Sequence, residues 1–170
     1  MTEPYYTLEG LQANNSLGYL IKRCGVLATQ IAERDFQSQP ISFTQWMVLM
    51  RLSDNANLTP SELSKQIGHD MGALTRIVDD LHDKQLVRRE RCELDRRAVR
   101  ITITPAGRRV AMTTKSVVLE LANKQVEIYS KAETDLLISL LQRMLVHMEK
   151  VAGEPAEEPA LGGRRTPVRR

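Results

Sequence analysis

Between Arg88 and Arg109 the chain carries eight arginines against three acids, Glu90, Glu93 and Asp95. This stretch is strongly cationic in a protein whose formal net charge is only +3, so the remainder is net acidic. Guanidinium forks pair with phosphate oxygens and release condensed counterions, which makes such a concentration suited to a nucleic-acid backbone. Just upstream, Met71, Gly72, Thr75, Arg76 and Asp79 share one helical face, where Thr75 and Arg76 could meet base edges or phosphates. Ser61 and Lys65, on the helix before it, complete the expected contact set together with Arg91, Arg96 and Arg97. Other chemistries lack their residues. His69, His82 and His147 are dispersed without the spacing of a metal site. No phosphate loop, nucleophile elbow or paired-carboxylate motif is visible, so no catalytic residue, cofactor or metal is expected and the chain does not read as an enzyme.

The elements that must carry these side chains are legible from caps and periodicity. Thr59-Pro60-Ser61-Glu62 is a capping box with proline at the first helical position, and Leu63 and Ile67 form the apolar side of a short helix ended by Gly68. Asp70 is a good N-cap for a second helix whose Leu74, Ile77, Val78 and Leu81 fall on one face. After Leu86-Val87, Arg88 to Arg91 lead to a turn around Glu93 to Arg97. A returning strand sets Val99, Ile101 and Ile103 against Arg100 and Thr102 on opposite faces. The order is helix, turn, helix, β-hairpin.

Around this module the chain reads as helical scaffold. Leu17, Leu20, Ile21, Cys24, Leu27, Ala28 and Ile31 share a stripe on a helix expected from about Asn15 to Phe36. Cys24 is therefore expected in apolar packing, where a thiol is unreactive, while Cys92 sits beside Arg91 near the hairpin tip. Ser42 to Gln45 cap a helix bearing Trp46, Leu49 and Met50. Thr104-Pro105 starts a helix expected to run to Tyr129, and Ser130 to Glu133 cap another reaching about Val151. The apolar positions of that last helix, from Leu136 to Val151, are broader than one intramolecular stripe needs. They suit either a helical core or, preferably, a symmetry mate. Composition fits this picture, with 42% apolar residues but only 4% aromatic. No apolar run approaches the ~18 residues of a membrane span. The start of the chain lacks a secretory pattern and the two cysteines form no framework, which together point to the cytoplasm and to no membrane partner.

From Leu58 to Gly107, and more loosely from Leu17 to Val151, the chain resembles the MarR (multiple-antibiotic-resistance regulator) family of winged-helix proteins. The resemblance rests on Thr59-Pro60-Ser61-Glu62-Leu63, on Leu74-Thr75-Arg76-Ile77-Val78-Asp79-Asp80-Leu81, and above all on Asp95-Arg96-Arg97 followed by Val99 to Gly107. Gln85 stands where the family usually has glycine. The resemblance implies a mostly α fold: a winged helix-turn-helix with a two-stranded β wing, and N- and C-terminal helices forming a dimerisation lobe. It also implies a homodimeric regulator of a double-stranded DNA operator, tuned by a small aromatic, phenolic or drug-like effector or by oxidation. Within that frame Asp95 would stabilise the wing, pairing with a neighbouring arginine.

Tyr19 and Arg23, four apart on the first helix, could present a hydroxyl and a guanidinium to an effector carboxylate. Trp46 reads either as an apolar wall of that cleft or as core, and His69 as a sensor beside the recognition helix or as an ordinary turn residue. The expected organisation is a flexible N-terminus over 1–14, a MarR-like domain over 15–152, and a disordered tail over 153–170. Within the domain the winged helix occupies about 40–104 and the dimerisation helices about 15–37 and 105–152. A cysteine-based redox regulator of the same fold and a winged-helix module that binds protein in place of DNA are the competing readings. The arginine-rich hairpin favours DNA.

Overall fold

A computed structural model describes residues 4–55, 57–91 and 99–153. Seven α-helices and two strands follow in the order α1 (Leu17–Asp35), α2 (Phe43–Asp54), α3 (Pro60–Ile67), α4 (Met71–Asp83), β1 (Val87–Arg91), β2 (Val99–Ile103), α5 (Pro105–Thr113), α6 (Lys115–Val126) and α7 (Lys131–Ala152). The mostly α winged helix-turn-helix fold with its two-stranded wing is thus present. Two compact units divide the chain, one ending at Asn123 and one beginning at Lys124.

In the first unit the local rules act as the sequence predicts. Ser42, Thr59, Asp70 and Thr104 each accept a backbone amide of the helix they start, satisfying donors that have no partner inside the helix. Leu49, Leu52, Leu63, Leu74, Val78 and Leu81 are buried in one core with Val87, Ile101 and Ile103, so α2, α3, α4 and the wing base close on a single apolar centre. The strands are antiparallel, pairing Val87 with Ile103, Arg89 with Ile101 and Arg91 with Val99. The Ile101 amide also donates to the Leu58 carbonyl at 2.8 Å, which ties the wing to the residue preceding α3. A second cluster joins Ala32 of α1 and Phe36, the residue that caps its end, to Leu121 of α6, with Phe43, Trp46, Val117 and Val118 around it.

Two features depart from the sequence reading. The helix expected from Thr104 to Tyr129 is broken at Thr114, whose hydroxyl donates to the Val110 carbonyl at 2.8 Å and to Ala111 at 3.3 Å. Such back-bonding competes with the helical ladder and bends it. Cys24 is exposed, not packed in a core, because the stripe it belongs to is uncovered in the single chain; Leu17, Leu20, Leu27 and Ile31 are exposed with it. The described part of the N-terminal segment expected over 1–14 meets the start of α1 through hydrogen bonds. The Tyr6 hydroxyl donates to the Asn15 carbonyl and accepts the Leu17 amide, and a short 3-10 turn covers Ala13–Asn15.

In the second unit α7 starts at the Ser130 and Glu133 capping box and ends at Gly153, whose φ of 74° is the left-handed conformation of a helix stop. Leu136, Leu137, Ile138, Leu140, Leu141, Leu145, Met148 and Val151 are all exposed along it. The residues of the expected tail from 154 onward lie outside the described residues.

Candidate nucleic-acid interface

The turn between α3 and α4 is built from three residues, Gly68, His69 and Asp70. Gly68 takes φ 68°, and the Ser64 hydroxyl donates to the His69 carbonyl at 2.6 Å, so the chain reverses without leaving that acceptor unsatisfied. Asp70 then caps α4. The Ala73 amide is the main cause that holds its carboxyl below the usual aspartate value, and the nearby His69 adds to it. A Cβ on Gly72 would come within 3.2 Å of the Asp70 carboxylate, so the small residue leaves this cap undisturbed.

With Leu74, Val78 and Leu81 buried, the opposite face of α4 turns outward. Met71, Gly72, Thr75 and Arg76 are exposed on it, as are Ser61 and Lys65 on α3. The Thr75 hydroxyl donates to the Met71 carbonyl at 2.7 Å, which spends its proton on the helix and leaves the exposed oxygen only its acceptor capacity. The C-terminus of α4 closes in a Schellman arrangement: Leu86 donates to the Leu81 carbonyl and Gln85 to that of His82, both at 2.8 Å. Gln85 occupies the left-handed position there, with φ 59°. The residue departs from the family pattern while the backbone keeps the turn.

The wing modifies the simple picture of free cationic side chains. Arg88 and Arg91 are exposed, but Arg89 forms an ion pair with Asp79 of α4. Arg100 donates to the Asn57 carbonyl at 2.5 Å, and Arg108 to that of Ile103 at 3.4 Å. Part of the arginine concentration therefore fastens the wing to its scaffold. Cys92, Asp95, Arg96 and Arg97 lie outside the described residues, and with them the expected turn of the hairpin.

Contacts that no local pattern announces orient the module. Glu33 of α1 accepts the Phe43 and Thr44 amides at 3.1 and 2.9 Å and the Thr44 hydroxyl at 2.6 Å, capping α2 from another helix. Lys84, at the end of α4, donates to the Pro40 carbonyl at 3.1 Å and to Gln45 at 3.2 Å. The end of α4, α2 and the end of α1 are thereby fastened at one corner.

The four residues expected to receive an effector are spread over different elements. Tyr19 and Arg23 are exposed on α1, and His69 is half-buried in the α3–α4 turn. Trp46 is packed with Phe36 and Phe43, at ring-centroid distances of 6.5 and 6.0 Å, and its indole N–H donates to the Ala111 carbonyl at 3.0 Å. It behaves as a core residue with a satisfied polar edge. Clefts of about 560 Å³ at the wing base and about 400 Å³ beside Glu33 and Lys84 are lined by none of the four. Among the described residues no cluster of metal-ligating side chains occurs, and no helix is long and apolar enough to cross a membrane.

A capped helix-turn-helix, with an exposed polar face on its second helix and a cationic hairpin beside it, defines a winged-helix DNA-binding module. A MarR family model matches residues 39–98, and the chain has the winged-helix fold of that family. The chain is similar to wild-type MarR from E. coli in its apo form, at 28% identity and a TM-score of 0.68 over 76% of this chain and 97% of that one. A cysteine-to-serine mutant of the same E. coli protein, complexed with operator DNA, matches at 28% identity and TM-score 0.66 over 76% and 93% of the two chains. BpsR of Bordetella bronchiseptica, whose DNA binding is regulated by 6-hydroxynicotinic acid, shares the fold. It matches at 20% identity and TM-score 0.68 over 83% and 96%.

Proposed function

We propose that the chain is a homodimeric repressor that binds a pseudo-palindromic operator and is released by a small aromatic or phenolic acid. The observation that carries the DNA reading is the α4 face. Met71, Gly72, Thr75 and Arg76 are exposed on a helix whose other side is locked into the core and whose end is fastened to α2 and the wing. Such a face can enter a major groove, with Thr75 and Arg76 at base edges or phosphates, Ser61 and Lys65 on the adjoining backbone, and Arg91, Arg96 and Arg97 alongside. The operator complex of the E. coli relative supports the same use of the fold.

Homodimerisation is supported by the apolar side chains that α1 leaves exposed in the first unit and α7 in the second, each a face that a second copy would bury. The aromatic acid that regulates BpsR supports the effector class, with Tyr19 and Arg23 as the groups offered to a carboxylate and Trp46 and His69 as further candidates. A ligand that spreads two DNA lobes would move recognition helices off half-sites spaced about one helical turn, ~34 Å, apart. The test is mobility-shift selection from a pool of genomic fragments, sequencing of those retained, and titration of the complex with aromatic carboxylates. Peroxide, with Cys24→Ser as its control, forms a parallel arm. Retention of no fragment refutes the DNA reading. Release by peroxide alone, abolished by Cys24→Ser, replaces the ligand with a redox signal.

A further inference from the structure

Asp79 is an acid on a helix that, under the reading above, faces a polyanion. It stands four residues after Thr75 and eight after Met71, on the line of exposed side chains along α4. A bare carboxylate there would repel phosphate. Its partner is Arg89, which leaves the inner side of β1, opposite Ile101, and reaches across to the helix. Both side chains remain substantially open to solvent, 38% for Arg89 and 47% for Asp79, so the pair is not a core feature and its charges stay within reach of a ligand.

We propose that Asp79 is a specificity determinant: it holds the Arg89 guanidinium on α4 and so withdraws one cation from sequence-independent phosphate binding. This rests on the DNA reading above. Arg88 and Arg91, its neighbours on β1, are exposed. An unpaired Arg89 would join them as a phosphate contact that tightens binding to every duplex alike. Discrimination is the ratio of specific to non-specific affinity, so a cation held away from phosphate raises that ratio without touching a base. The pair also spans wing and recognition helix, which keeps the two groove-facing elements in one geometry.

The test compares the wild-type chain, Asp79→Asn, and the double variant Asp79→Asn with Arg89→Gln. Each is titrated by fluorescence anisotropy with a random-sequence duplex and with a fragment retained by the wild-type chain, between 50 and 200 mM salt, a span of about fourfold over which one phosphate contact is readable. Asp79→Asn should tighten the random duplex several-fold at the lower salt and steepen its log K against log salt slope by about 0.9, one phosphate contact. The ratio of the two affinities should fall, and the double variant should return the slope to the wild-type value. A slope that stays at the wild-type value in Asp79→Asn overturns the proposal, as does steepening that persists without Arg89. Equal weakening on both duplexes would show that the pair only braces the wing. A wild-type chain with no affinity for either duplex overturns the DNA reading itself, and does so before any substitution is made.

Discussion

Gly107→Ala tests whether α5 is seated on the wing base as closely as the packing indicates. Helix propensity alone favours the substitution, since alanine is better than glycine inside a helix by about 1 kcal/mol. The site opposes it. A Cβ at position 107 would overlap the Leu86 carbonyl oxygen, 3.1 Å from the carbonyl carbon and 2.9 Å from Ile103 Cγ1. Neither neighbour is a loose side-chain end, because Leu86 and Ile103 are both buried and the Leu86 carbonyl accepts the Thr104 amide at 3.0 Å and its hydroxyl at 3.1 Å. Relief must therefore come from backbone displacement. Overpacking of this kind costs about 1–3 kcal/mol, and weakening the two bonds to Leu86 adds about 1 kcal/mol each. Set against the propensity gain, the net loss is about 3 kcal/mol, a large share of the 5–15 kcal/mol that holds a typical domain together. Urea denaturation at fixed protein concentration measures it, with thermal unfolding expected about 6–12 °C lower. Stability equal to or above that of the wild-type chain would refute the close approach of α5 to Leu86.

Gln85→Gly should stabilise the chain by about 0.5–1 kcal/mol, because relief of the left-handed conformation at φ 59° exceeds the extra entropy of an unfolded glycine; Gln85→Val should destabilise it, and the reverse order in denaturation midpoints would contradict the Schellman turn. The carboxyl of Glu62 is held below the ordinary glutamate value of 4.5 by the Thr59 amide first, then by the Thr59 hydroxyl and the charge of Arg100. A depressed folded pKa contributes stability that is fully present above the unfolded value and is lost as the pH falls through the folded one, so Glu62→Gln should flatten the acid limb of urea midpoint against pH below about 4.5; an unchanged limb would show that the cap bond is not populated. Arg76→Ala should cost roughly 1–3 kcal/mol at one operator position if its fork reads a base. Equal loss on all sequences would reassign it to phosphate. A chain ending at Gly153 should sediment as the same dimer as the 170-residue chain, whereas one cut before Leu140 should aggregate or unfold. A folded, soluble monomer from the second cut would remove α7 from the dimer seam.

The starts of α2, α3, α4, α5 and α7 were legible because a cap is local: Ser42, Thr59, Asp70, Thr104 and Ser130 each bond an amide three residues ahead. The buried faces of α3, α4 and the strands followed from residue spacing for the same reason, since helix and strand periods lie within a few residues of chain. The left-handed turn at Gln85 kept its geometry although its residue gave no sign of it; the bonds of Leu86 to Leu81 and Gln85 to His82 impose the backbone there. What only tertiary structure decided is the partner of each charge. Arg89 could have faced phosphate or Asp79, Arg100 solvent or the Asn57 carbonyl, and Lys84 and Glu33 any surface, yet they are tied across 10, 43, 44 and 10 or 11 residues of sequence. Ion pairs and single hydrogen bonds have no period. A long polar side chain reaches whatever packing brings beside it, and that packing is set by apolar residues elsewhere. The same limit governed the α1 stripe. Spacing placed Cys24 with Leu20 and Ile31, but whether such a stripe meets the chain's own core or remains exposed depends on the neighbours the fold supplies, and in the single chain those residues are exposed.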